Sequence, residues 1–269
     1  MIPIKEYTEA NRAAWNEAMP LHQAANEDKW DKKFSESGYS VIKSQELDQL
    51  QALGVSGKNI AHVCCNNGVE LMSLKNLGAN RCVGFDISDE AIDEARTRSE
   101  RFHVDCEFVR TDVYEIDSTY DGHFDVVYIS IGCLGWMPDL NKFIHQISQL
   151  LKGSGHIFIH EKHPFSDMLP CDRDGDADPL KIIEPYFKKD PYIDNDGIDY
   201  IGNTTYESQT MYWFVWTLSD IFMAIVDAGF TIQFFGEYKD DISESHSKNE
   251  HAGIDIPLSY ILTAGKAAK

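Results

Sequence analysis

From residue 59 onward, short apolar runs alternate with stretches of helical periodicity, and this rhythm constrains the fold more than any other feature. NIAHVCC (59–65) precedes GVELMSLKNLG, and RCVGFDI (81–87) precedes SDEAIDEARTRSE. CEFVRTD (106–112), FDVVYISIG (124–132) and GHIFIHE (155–161) continue the series, with a helix expected at 139–151. In that helix Leu140, Phe143, Ile144, Ile147, Leu150 and Leu151 make one apolar stripe. Strands that are apolar throughout and separated by helices predict a parallel sheet covered on both faces.

The flanks differ. Residues 5–27 read as a helix of mixed character, and 41–53 as a second helix in which Leu47, Leu50 and Leu53 recur before the stop at Gly54. Residues 1–55 are therefore expected to form an N-terminal helical cap on a main domain spanning 56–269. Residues 163–212 are rich in Asp, Pro, Gly and aromatics and too long for an ordinary connection. They predict an inserted lid or small antiparallel cap over the ligand end of the sheet. Thr217 opens a capping-box-like TLSD, and the helix it starts stops at Gly229. FTIQFFGEY (230–238) and IPLSYILTA (256–264) follow with no useful helix between them, so they are antiparallel neighbours or lie apart.

The net charge of −20 repels phosphate backbones and anionic lipid headgroups, which argues against nucleic acid or a membrane surface as partner. No apolar run reaches the length of a membrane helix, and the N-terminus lacks a signal-like apolar core. The six cysteines include no CxxC pair and read as packing residues of a reducing compartment rather than metal ligands. A soluble, cytoplasmic protein without a metal site is expected.

Candidate site residues fall at successive strand ends, where open α/β sheets bind ligands. HVCCNNGVE makes a tight turn: Gly68 has no side chain, and Asn66 and Asn67 tolerate left-handed backbone. Such a turn is equally often structural. Asp86 ends the second run and can accept both hydroxyls of a ribose; its plainer role is as a helix N-terminal acid, already filled by Ser88, Asp89 and Glu90. Asp112 beside Val113 and Ile87 suits an adenine, or is a turn residue. Ser130, Gly132 and Gly135 lie past the fourth strand, facing the reacting end of such a ligand. His160, Glu161 and His163 are base candidates past the fifth strand; His163 precedes Pro164, which favours an extended, projecting conformation. A satisfied structural histidine there is as common. Tyr186, Tyr206, Tyr212, Trp213 and Trp216 either shape an aromatic pocket or form the core of the cap.

In order and spacing these stretches resemble class I, Rossmann-like S-adenosylmethionine-dependent methyltransferases over 59–162 and 213–264. HVCCNNGVELMSLKNLGA followed by VGFDIS looks like a bacterial subfamily of that class. The resemblance implies a three-layer α/β fold: a seven-stranded, mostly parallel sheet with an antiparallel last strand. It also implies transfer of a methyl group from S-adenosyl-L-methionine to a small-molecule acceptor. The family's first-motif acid corresponds to His62, and its glycines to Cys64 and Asn66. NRAAWNEAMPLH is similar to a leading helix that closes over the cofactor. The cofactor-binding residues it implies are Tyr7, Asn11, Trp15, Cys64, Cys65, Asn66, Gly68, Asp86, Ile87, Asp112, Val113 and Ser130. A non-catalytic relative that only holds the cofactor is the alternative. A nicotinamide-dependent oxidoreductase is disfavoured, because HVCCNNG lacks the GxGxxG turn.

Overall fold

The computed structural model describes residues 2–42, 44–198, 201 and 205–266. Two helices lead, α1 (Ile4–Phe34) and α2 (Ser44–Leu53). Then β1 (Ile60–Val63), α3 (Val69–Asn76), β2 (Cys82–Asp86), α4 (Asp89–Arg101), β3 (Glu107–Arg110) and β4 (Phe124–Ile129) follow. Helix α5 (Leu140–Leu150) runs directly into β5 (Leu151–Lys162), four residues earlier than its apolar run predicts. Two three-residue strands, β6 (Tyr192–Asp194) and β7 (Met211–Trp213), pair with each other, and α6 (Leu218–Asp227), β8 (Phe230–Tyr238), α7 (Ser247–Glu250) and β9 (Ser259–Lys266) complete the chain.

The main sheet has seven strands in the order β3-β2-β1-β4-β5-β9-β8. Strands β1 to β5 are mutually parallel, and β9 enters antiparallel between β5 and β8. This is the expected terminal pair, with the last strand reversed. One face carries α5 and α6, where Phe143, Ile147, Ile221 and Ile225 pack on Val63, Val127 and Ile157. The other carries α2, α3 and α4, where Leu50, Leu71 and Ile92 pack on Ile60, Val126 and Phe158. Each fully buried side chain of this size contributes about 1.5–3 kcal/mol. Thr217 accepts the Asp220 N–H while Asp220 accepts the Thr217 N–H, so the capping box forms as written in TLSD.

Helix α1 extends seven residues beyond its expected end, because Trp30 and Phe34 join the second core cluster. It also contains Pro20, which lacks the N–H that would bond the carbonyl of Asn16. Ahead of Pro20 the helix is fastened to α4 and to β7, among other contacts. Arg12 bonds Asp89 and Asn16 bonds Ser88 and Asp89, at the start of α4. Asn11 takes the Tyr212 N–H at 2.7 Å and donates to the Tyr212 carbonyl at 3.0 Å, clasping β7.

Candidate functional site

A cavity of about 590 Å³ lies along the carboxyl ends of β1 to β5. At its centre is the turn after β1. Cys64 (φ +54°) and Asn66 (φ +47°) hold left-handed backbone there, at two positions where glycine is the easier residue. Asn67 does not share that conformation. Asp86 braces the turn: one carboxylate oxygen accepts the Asn66 N–H at 2.8 Å and the other the Ser88 N–H at 2.9 Å. Burial pushes its pKa up, against the pull of those backbone donors. Each oxygen keeps a further lone pair for a ligand hydroxyl.

Gly68 (φ +78°) does not reach the cavity wall. A Cβ there would sit 2.6 Å from the Phe108 ring, so the glycine lets the start of α3 pack closely on β3. Asp112 is a turn residue, one oxygen capping the Tyr114 N–H at 2.9 Å, and it also lines the cavity beside Ile87 and Val113. Cys64, Cys65, Asn66, Asp86 and Ser130 also line it. His62 stands behind them, fully buried, with Nε2 2.9 Å from Ser130 Oγ and Nδ1 without a hydrogen-bond partner among the described residues. Burial lowers its pKa to about 3, so it is neutral.

The three residues after the fifth run separate. Glu161 is buried and turned to the backbone, accepting the N–H groups of Gly132 (2.5 Å), Leu134 (3.1 Å) and Lys162 (2.8 Å). It shapes the loop after β4 and lies off the main cavity. His163 likewise lies off it. Its own N–H bonds the Leu258 carbonyl, its Nδ1 accepts the Phe165 N–H, and its Nε2 meets Glu237 at 3.0 Å. The expectation that it projects into the mouth of the site is therefore corrected: the Phe165 N–H and Glu237 of β8 claim both ring nitrogens. His160 does line the cavity.

Helix α1 contributes more than expected. Thr8, Asn11, Trp15, His22, Asn26 and Trp30 all line the cavity, and their spacing by three, four and seven is one helix face. That stripe is visible in the sequence, but it is polar and aromatic and so does not register as amphipathic. Asn11 has spent its amide on Tyr212, and Tyr7 stacks edge-on against Tyr212 and Phe214 rather than lining the cavity. Of the five aromatics expected near the insertion only Trp213 lines the cavity, against Trp136 at 4.9 Å, which in turn meets Trp15 at 5.5 Å. Trp136, Glu46, Glu70 and Tyr128 are wall residues that sequence reasoning missed.

A methyltransferase-domain family model matches residues 60–155. Ubiquinone biosynthesis O-methyltransferase of Erwinia tasmaniensis is 28% identical over 132 residues, 48% of this chain and 54% of that protein. Its counterpart in Cronobacter sakazakii is 31% identical over 109 residues, 40% of this chain and 44% of that one. The chain thus spans about half the length of the curated relatives it matches. An S-adenosylmethionine-dependent methyltransferase from Mesorhizobium loti superposes with a TM-score of 0.61 at 19% identity, covering 83% of this chain and 98% of that one. Magnesium protoporphyrin IX methyltransferase of Synechocystis, solved with bound S-adenosylhomocysteine, gives 0.51 at 15% identity, covering 91% and 84%. Residues 60–155 thus match a methyltransferase domain, and the strand order and superpositions give the chain the fold of the class I, Rossmann-like methyltransferase structures.

Proposed function

We propose that this chain binds S-adenosyl-L-methionine and transfers its methyl group to a small-molecule acceptor in the cytoplasm. The observation that carries the reading is the placement of Asp112, Asp86 and the Cys64–Asn66 turn along one cavity, at the ends of β3, β2 and β1 in sheet order. This donor and acceptor set fits a nucleoside: carboxylates for ribose hydroxyls and the adenine amino group, with Ile87 and Val113 as the apolar wall. When bound, the cofactor supplies an electrophilic methyl group on a sulfonium. The protein's part is then to position the acceptor and exclude water. Trp15, Trp136 and Trp213 supply the apolar surface for that, and the cavity size is that of a small-ligand site. The net charge of −20 favours a small acceptor over nucleic acid. All six cysteines are free, which suits a reducing compartment, and no helix among the described residues is long and apolar enough to cross a membrane.

Titration calorimetry with S-adenosylhomocysteine and with NADH tests the reading. Binding of the first and not the second is expected; tight NADH binding without a response to S-adenosylhomocysteine would overturn it.

A further inference from the structure

At the β4–β5 end of the cavity, side chains from three elements converge on one carboxylate. Glu46 of α2 accepts the Tyr128 hydroxyl with one oxygen, and its other oxygen lies 3.1 Å from His160 Nδ1. All three residues are buried and all three line the cavity. A carboxylate placed inside a core costs free energy unless it is fully partnered, so its position needs a reason. The His160 contact is close but not aligned as a hydrogen bond, leaving Nδ1 a buried nitrogen whose near neighbour is Glu46. Catalytic hydrogen bonds are often loose before substrate binds and tighten afterwards.

The electronics follow from the partners. A carboxylate oxygen beside a ring nitrogen favours the tautomer with the proton on that nitrogen, so Glu46 favours a proton on His160 Nδ1. The basic lone pair is then on Nε2, which has no protein partner among the described residues. Sheet order sets the location. A nucleoside lying across β3, β2 and β1 directs its reactive end over β4 and β5, where Ser130 and His160 stand.

We propose that His160, positioned by Glu46 and Tyr128, takes the proton from the methyl acceptor, and that the acceptor therefore presents a hydroxyl or ring N–H on a planar ring. This rests on the methyl-transfer reading above. The acceptor's oxygen or nitrogen forms the new bond to the methyl carbon. The sulfur–carbon bond breaks with its electron pair going to sulfur, and the acceptor's proton moves to His160 Nε2. Trp15, Trp136 and Trp213, stacked edge to face beside this end, provide the flat apolar wall that a ring would use.

The test uses the intact chain labelled with ¹⁵N-histidine and saturated with S-adenosylhomocysteine. Ring-nitrogen shifts are expected to show the Nδ1–H tautomer of His160. Glu46→Gln, whose amide offers a donor, shifts it toward Nε2–H without loss of S-adenosylhomocysteine binding; Tyr128→Phe, the milder change, shifts it in part. Adding 4-nitrophenol as a planar hydroxyl probe is expected to protonate His160 as phenolate absorbance rises. An Nε2–H tautomer in the wild type, or ring shifts untouched by 4-nitrophenol, overturns the proposal. Failure of the wild type to bind S-adenosylhomocysteine overturns the methyl-transfer reading instead.

Discussion

Asp86 accepts the backbone N–H of Asn66 at 2.8 Å, so the carboxylate that ends β2 also holds the turn that ends β1. A carboxylate on the cavity wall and a backbone brace thus share one side chain. Asp86→Ala removes charge-assisted bonds worth about 1.5–3 kcal/mol each. S-adenosylhomocysteine affinity is expected to fall on the order of ten- to a hundredfold. The unliganded protein should also melt lower, by about 2–4 °C per kcal/mol lost. The loss of stability comes from the Asn66 and Ser88 bonds, which exist without any ligand. Calorimetry and a melting curve on the same variant check both, and unchanged affinity would leave Asp86 with the turn alone.

Glu70 sits on the cavity wall near Glu46, and burial first, then that second carboxylate, raises its pKa to about 7. The unfolded chain releases this proton near the ordinary value of 4.5. Between the two values the folded state binds more protons, so its contribution to stability is full below 4.5 and is lost as pH rises through 7. Glu70→Gln should remove this slope. Melting temperatures of both proteins from pH 4 to 8 provide the comparison, and parallel curves would rule the effect out.

Gly68 combines φ +78° with a Phe108 ring atom 2.6 Å from the missing Cβ. Gly68→Ala is expected to cost more than about 1 kcal/mol, read as a lower denaturant midpoint with an unchanged slope. Because Gly68 lies off the cavity wall, affinity for S-adenosylhomocysteine should change far less than in Asp86→Ala.

The segment between β5 and α6 lends Ile198, Ile201 and Trp213 to the cavity but none of the residues placed on the nucleoside. Replacing residues 176–207 with a short Gly/Ser linker should therefore spare cofactor binding and abolish methyl transfer, as expected of a lid. Affinity and turnover measured on one truncated protein decide this. Full activity would make the segment decoration, and loss of both properties would place it in the core.

The alternation of strands and helices and the acids at strand ends were legible because each depends on local pattern: apolar runs of strand length, then Asp86 and Asp112 where the runs stop. Glu46 was not. On α2 it is one polar residue among Gln45, Asp48 and Gln49, and only the meeting of α2 with β4 and β5 buries it. His163 misled for the same reason. Its extended backbone before Pro164 was readable, but Glu237 and the Phe165 N–H, which orient the ring, come from tertiary contact and the following turn. Cys64 shows the limit at a single residue: nothing about a cysteine announces positive φ.

Pro20 interrupts α1 between the half that grips α4 and β7 and the half that carries Trp30 along the cavity. A rod with one missing rung bends there first. Release of S-adenosylhomocysteine is expected to wait on the Arg12–Asp89 pair, so that departure of product sets the pace of repeated turnover. Stopped-flow release of S-adenosylhomocysteine should quicken in Arg12→Ala and slow in Pro20→Ala. A first turnover outrunning those after it is the kinetic trace such a hinge leaves.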